Sequence, residues 1–365
     1  MKVCIVVGTR PEIIKMSPVI RECEKRKLNY MLIHTGQHYS YNMDKIFFDD
    51  LEIKEPKYEL DIGKKYSTDC SQTGEMIKGI EKILTKEKPD VVLVEGDTNS
   101  VLAGAIASVK LHIKIGHVEA GLRSFDRNMP EEINRILTDH CSDLIFAPTK
   151  ISKQNLLNEG ISKKKIFVTG NTIVDAVHQN LKIAKKKSKI MSDLGTGDEY
   201  ALLTVHRQEN VDAKQQFSNI IQALKKIDLP IIFPIHPRSR KMAKRFKLYN
   251  KLKNVVRLIE PVGYLNFLNL LSNARLVLTD SGGIQEEACI LNTPCLTLRD
   301  NTERPETIEA GANYLVGTKP GVIVKMVNKI LNNSEFEKKM RNARNPFGDG
   351  RSGERIIQMV IQELR

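Results

Sequence analysis

The 365-residue chain contains no tryptophan, and aromatic side chains make up only 5% of it. Proteins that grip single-stranded nucleic acid stack bases on aromatics set within a basic groove. Without such a platform, the formal net charge of +13 does not indicate a nucleic-acid partner. It reads as solvated basic faces, densest at residues 182–189, that also favour anionic small substrates. No window approaches the roughly 18 consecutive apolar residues of a membrane span. The apolar run at residues 3–7 is too short for the core of a signal peptide, so a cytoplasmic protein with no membrane partner is expected. The six cysteines form no C-x-x-C pair and fall mostly in apolar runs, which suggests buried, reduced thiols.

Other absences narrow the chemistry. No G-x-G-x-x-G follows the first strand, so no dinucleotide cofactor is expected. The G-x-S-x-G elbow of a nucleophilic serine is also missing. His34 and His38 are four apart but in a strand–loop setting, His236 has no neighbouring ligand, and Arg207 beside His206 opposes a cation. No metal is expected.

What is present is a regular alternation. Residues 3–7, 31–34, 91–95, 113–116, 144–147 and 166–169 read as strands, separated by segments with helical spacing such as 13–25, 73–86 and 99–109. After the basic stretch the pattern restarts, with strands at 201–205, 231–234, 255–258, 276–279 and 294–298. Such alternation predicts an α/β fold of parallel sheets with helices on both faces. The length and the restart predict two doubly wound domains, divided near residues 171–197. In open parallel sheets, ligands bind beyond the carboxyl ends of the strands, so two facing domains would place a cleft between them.

The motifs fall at those ends. Gly8-Thr9-Arg10-Pro11-Glu12 leads from a strand into a helix, where a glycine turn with Arg10 and Lys15 suits an anion. Strand ends also carry Glu95-Gly96-Asp97-Thr98 and His117-Val118-Glu119-Ala120-Gly121-Leu122-Arg123, and Pro130-Glu131-Glu132 opens a further helix. Any one of these carboxylates could be a helix cap. Several on one rim point to acid–base chemistry. In the second half, His206-Arg207, His236-Pro237-Arg238 and Asp280-Ser281-Gly282-Gly283 follow strands. Ser281-Gly282-Gly283 at a helix start lets backbone N–H groups approach a phosphate, and a carboxylate one turn along can accept from ribose hydroxyls. That pairing suits a nucleoside diphosphate.

Taken together, GTRPE at Gly8, Lys15, TGQH at Thr35, GDT at Gly96, HVEAGLR at His117, PEE-x-NR at Pro130, HR-x-EN at His206, DSGG-x-QEE at Asp280 and TERPE at Thr302 resemble the non-hydrolysing UDP-N-acetylglucosamine 2-epimerases. The resemblance runs nearly full length. It implies two Rossmann-like domains of the glycosyltransferase-B type, residues 1–171 with 352–365 and residues 172–351, with the last helix returning to the first domain. It also implies a homodimer and no cofactor. By resemblance, Asp97, Glu119, Glu131 and His206 form the catalytic set, without singling out the base. Arg10, Lys15, Ser281, Gly282, Gly283, Glu287 and Arg304 would meet the nucleotide and its diphosphate, with Val262 and Phe267 near the uracil. Gln37, Glu131, Arg207 and His236 match a site where many bacterial members bind a second UDP-N-acetylglucosamine as activator. The reaction implied interconverts UDP-N-acetylglucosamine and UDP-N-acetylmannosamine by elimination of UDP and re-addition to an enclosed 2-acetamidoglucal. A hydrolysing epimerase, a glycosyltransferase of the same fold and a non-catalytic UDP-sugar sensor are the competing readings.

Overall fold

The computed structural model describes residues 1–37, 47–195, 197 and 199–364; His38, weighed above as a metal ligand, lies outside them. The chain separates into two compact units, Met1–Gln179 with Phe347–Arg365, and Asn180–Pro346. The expected boundary at 171/172 falls where helix Thr172–Lys187 begins, whereas the units part inside that helix.

The first unit holds a parallel sheet of β1 (Lys2–Val7), β2 (Asn29–His34), β3 (Tyr58–Glu59), β4 (Val91–Glu95), β5 (Lys114–Val118), β6 (Leu144–Ala147) and β7 (Ile166–Val168). Their order is β3-β2-β1-β4-β5-β6-β7. Val3–Val7 are all at most 1% exposed, because helices cover both faces of the sheet and leave no strand face for water. On one face Cys4, Val6, Val92 and Val94 pack with Met76, Ile80, Leu84 and Val101 of the following helices.

The second unit repeats the plan. Its strands are β8 (Ala201–Thr204), β9 (Ile231–Pro234), β10 (Arg257–Ile259), β11 (Leu276–Thr279), β12 (Cys295–Thr297) and β13 (Asn313–Leu315), in the order β10-β9-β8-β11-β12-β13. Ala201 and Leu203 join one apolar cluster with Phe217, Ile220 and Val327. Leu202 joins another, with Leu270, Leu271 and Ala288. The two-residue period of a strand thus feeds two helical layers. In each sheet the winding reverses once, between β1 and β4 and between β8 and β11. The carboxyl ends beside those reversals are where a doubly wound sheet leaves a crevice.

Two strands escape the sequence pattern, both at sheet edges. β3 is two residues flanked by Lys57, and Lys57 N–H and Leu60 N–H extend its ladder to Leu32 and His34. β13 begins with Asn313, whose buried side chain donates to Gln285 and Thr307, so no apolar run marks it. β10 starts later than expected because Val255 and Val256 N–H groups still bond back to Leu252. The cysteine expectation also needs correcting: Cys4, Cys23, Cys289 and Cys295 are buried, but Cys70 is exposed at the start of helix Asp69–Glu87.

The last helix, Ser352–Glu363, packs against helix Arg10–Lys25 of the first unit. Asp175 accepts from Ser352 N–H (3.1 Å) and Gly353 N–H (2.9 Å), supplying the cap that the helix's own sequence lacks. A Cβ at residue 353 would stand 3.0 Å from the Pro18 backbone, so glycine permits the close crossing.

Candidate functional site

The first unit gathers carboxylates where β1, β4 and β5 end. After β1 the chain turns at Gly8, where a Cβ would lie 1.9 Å from Ser100 Oγ and 2.2 Å from Thr35 Oγ1. Only glycine fits there. Glu12, one turn into the following helix, accepts from Gly8 N–H (2.6 Å) and from the Thr9 hydroxyl (3.1 Å). Burial pushes its carboxyl up to about 7; these bonds and one from Thr98 pull the other way, while nearby Asp97 adds to the rise. Lys15, one turn further, is 2.6 Å from both oxygens of Glu119 and 3.2 Å from Glu95 Oε1. Burial raises the Glu95 carboxyl well above the usual range; Lys15 opposes this, and Glu119 and Glu12 reinforce it. One ammonium therefore serves two buried carboxyls. Glu119 itself stands at φ +64°, an uncommon conformation for a residue with a Cβ.

Asp97 follows the Gly96 turn (φ +86°) and is ion-paired to Arg135 at 2.5 Å. Beneath this turn His117, fully buried in β5, bridges two acceptors: Nδ1 meets Asp139 Oδ1 at 2.7 Å and Nε2 meets the Gly96 carbonyl at 2.8 Å. A neutral ring can donate to only one of these, an imidazolium to both. Burial opposes ionisation of Asp139, but His117 and Arg123 outweigh it and hold the carboxyl low. Glu131 is exposed in the first turn of helix Pro130–Cys141, and Glu132 beside it is buried. Gln37 Oε1 accepts from Ser100 N–H (3.0 Å) and Oγ (2.8 Å), at the start of the helix that follows Asp97. The Arg10 guanidinium lies 5.2 Å from the centre of the Phe47 ring.

In the second unit Asp280, fully buried at the end of β11, accepts from His206 N–H (3.0 Å), Arg207 N–H (2.9 Å) and Asn210 Nδ2 (3.1 Å). Its Oδ1 is 3.3 Å from His206 Nδ1. The His206 and His236 rings lie 5.2 Å apart, inclined by 35°. Burial lowers the His236 pKa, with His206 and Arg238 adding to it, and Nδ1 accepts from Arg238 N–H. Ser281 precedes helix Gly282–Ile290 without making a side-chain cap, and no heavy atom lies within 4 Å of a Cβ built at Gly283. That end of the helix presents N–H groups beside open space. Arg207 is 3.9 Å from Glu303, which Arg299 holds down to about 2 against the opposing effect of burial. Arg304 Nε is 2.8 Å from Glu286 Oε1, and Glu287 is buried on the same helix.

The structure thus brings Lys15 to Glu119, and His206, Arg207 and His236 to one rim with Ser281. Val262, after β10, and Phe267, on helix Tyr264–Asn273, pack partly buried against the apolar cluster of Leu270 and Leu271. Four side chains with central places were not among the residues expected from sequence: Glu95, Arg135, His117 and Asp280. All lie inside the motifs quoted above. Their partners named above, however, lie at least 21 residues away in sequence, so only the sheet order reveals them.

A family model described as UDP-N-acetylglucosamine 2-epimerase matches residues 21–361. The UDP-N-acetylglucosamine 2-epimerase of Methanocaldococcus jannaschii is 58% identical over 369 residues, covering 99% of each chain. That of Methanococcus maripaludis is 56% identical over 373 residues, covering 100% of this chain and 99% of its own. A crystal structure of the M. jannaschii UDP-GlcNAc 2-epimerase in complex with UDP-GlcNAc and UDP matches with a TM-score of 0.86 at 58% identity, over 99% of this chain and 100% of that one. With motifs, fold and relatives in agreement along its whole length, the chain belongs to the UDP-N-acetylglucosamine 2-epimerase family.

Proposed function

We propose that this chain reversibly epimerises carbon 2 of UDP-N-acetylglucosamine, giving UDP-N-acetylmannosamine. No carbonyl adjoins carbon 2, so its proton is weakly acidic and direct abstraction is slow. Elimination avoids the problem. A carboxylate takes the carbon 2 proton as the carbon 1–oxygen bond to UDP breaks, leaving UDP and 2-acetamidoglucal. UDP then re-adds at carbon 1 while a proton returns to the opposite face of carbon 2.

The observation that carries this reading is the set of carboxylates at the β4 and β5 ends, Asp97 and Glu119, with Glu131 at the next helix start. They supply the acid–base groups. Lys15 offsets part of their charge and holds Glu119. The first N–H groups of helix Gly282–Ile290, with Ser281 and Arg304, suit the diphosphate, and Glu287 the ribose. His206, braced by Asp280, would stabilise charge on the departing UDP. Gln37, Glu131, Arg207 and His236 would hold a second UDP-N-acetylglucosamine; sigmoidal kinetics, and conversion of pure UDP-N-acetylmannosamine only after a trace of UDP-N-acetylglucosamine is added, test that role.

The deciding experiment is proton NMR of the protein with UDP-N-acetylglucosamine in heavy water. A manno-configured anomeric signal still coupled to phosphorus, with deuterium at carbon 2, is expected. Free N-acetylmannosamine and UDP would establish the hydrolysing reaction instead. Unchanged substrate with demonstrable UDP binding would leave a glycosyltransferase or a sensor.

A further inference from the structure

Arg135 is one turn along its helix from Glu131, and two carboxylates share its guanidinium. Nη2 donates to Asp97 Oδ2 (2.5 Å) and Nη1 to Glu132 Oε2 (2.8 Å). The arginine side chain is 16% exposed, that of Glu132 2% and that of Asp97 30%. The backbone around Asp97 is pinned as well: Asn134 Nδ2 donates to the Asp97 carbonyl (2.9 Å), and His117 Nε2 lies 2.8 Å from that of Gly96. Arg135 thus fixes one oxygen of the Asp97 carboxylate, whose side chain remains 30% exposed.

Glu132 extends the linkage. It accepts from Ser124 N–H and Phe125 N–H, each at 2.9 Å. Phe125 stands at φ +58° and the residue is 76% exposed, so this turn keeps an aromatic in solvent in a conformation that its Cβ disfavours. Hydrogen bonds to the Glu132 carboxylate hold the turn; together with Arg135 they pull that carboxyl below its usual range although burial opposes it. A guanidinium bonded through separate nitrogens to two carboxylates sets direction as well as charge, which an ammonium does not.

We propose that Arg135 is a positioning residue for the epimerisation: it aims the Asp97 carboxylate and couples it, through Glu132, to the Ser124–Phe125 turn. The proposal rests on the reading of Asp97 as an acid–base group. A misplacement of about 1 Å costs on the order of 100-fold in rate, so Arg135→Gln is expected to lower kcat by roughly that factor with KM within about threefold. Arg135→Lys, which restores charge without the fork, recovers part of the loss, and added guanidinium ion at non-denaturing concentration raises kcat of Arg135→Ala but not of the wild type. A kcat for Arg135→Gln within about threefold of wild type would overturn the proposal. So would equal losses in the Gln and Lys variants with no response to guanidinium, which marks a purely structural role. If circular dichroism finds Arg135→Gln unfolded, Arg135→Lys decides: wild-type kcat refutes, reduced kcat at unchanged KM supports. A wild-type protein that fails to epimerise would sink the functional reading itself, a result distinct from any of these.

Discussion

Replacing Asp280 with alanine tests the account of how the second unit builds its rim. The carboxylate is fully buried and is the common acceptor for His206 N–H, Arg207 N–H and the Asn210 side chain. Two of these donors are backbone groups where β8 ends, so no rotamer change can turn them toward water. A buried donor left unsatisfied costs about 1–3 kcal/mol. Three donors toward the low end, allowing for entry of a water, give a loss of about 4 kcal/mol. For a unit of this size each kcal/mol lowers Tm by roughly 2–4 °C, so a fall on the order of 8–16 °C is expected by calorimetry. Asp280→Asn keeps the shape and one accepting oxygen and should fall about half as far. Epimerase activity should drop in both, because the backbone carrying His206 loses its brace. A melting temperature for Asp280→Ala within about 3 °C of wild type would refute the reasoning, since it would mean the three donors find other partners at no cost.

The remaining predictions are more direct. Glu12 has its folded pKa raised to about 7 from the ordinary glutamate value of 4.5. Between those values the unfolded chain holds fewer protons, so stability falls as pH rises through that window and levels off above it. Glu12→Gln should remove a pH-dependent loss of roughly 3 kcal/mol; parallel denaturation curves for the two proteins from about pH 4.5 to 8 would contradict this. Gly8→Ala drives a Cβ against Ser100 and Thr35, and the strain should cost about 1–3 kcal/mol and reduce activity; an unchanged urea midpoint would count against so tight a turn. Burial pushes the thiols of Cys23 and Cys289 up to about 12, so a thiol reagent near neutral pH should label exposed Cys70 first, as peptide mapping would read.

Much of the candidate site could be proposed from sequence because its residues sit in short motifs directly after apolar runs. Strands such as β1 and β4, buried on both faces, announce themselves as unbroken apolar runs, and the helix starts that follow strands carry marked residues: Pro11 after β1, the capping Thr98 after β4 and Ser281 after β11. Edge strands β3 and β13 were not legible: one face or edge of each is polar, so composition does not set them apart from loops. Glu131 and Glu132 illustrate the limit for side chains. As sequence they are adjacent and alike, but the helix turns one to solvent and sends the other to cap the Ser124–Phe125 turn. Lys15 makes the same point, since its charge is read directly while its place beside Glu119 and Glu95 comes only from the fold.

Local pattern therefore determined the class of fold, the repetition of one α/β plan, and the family, because hydrophobic periodicity and loop chemistry act over a few residues. The long-range order of strands decided the rest. Placing β4 beside β1 and β5 beside β4 brings Glu12, Lys15, Glu95 and Glu119 together from more than a hundred residues of chain, and placing β11 beside β8 puts Asp280 under His206. Which carboxyl keeps its proton and which is aimed depends on burial and on charges a few ångströms away, and those exist only once the sheets have formed.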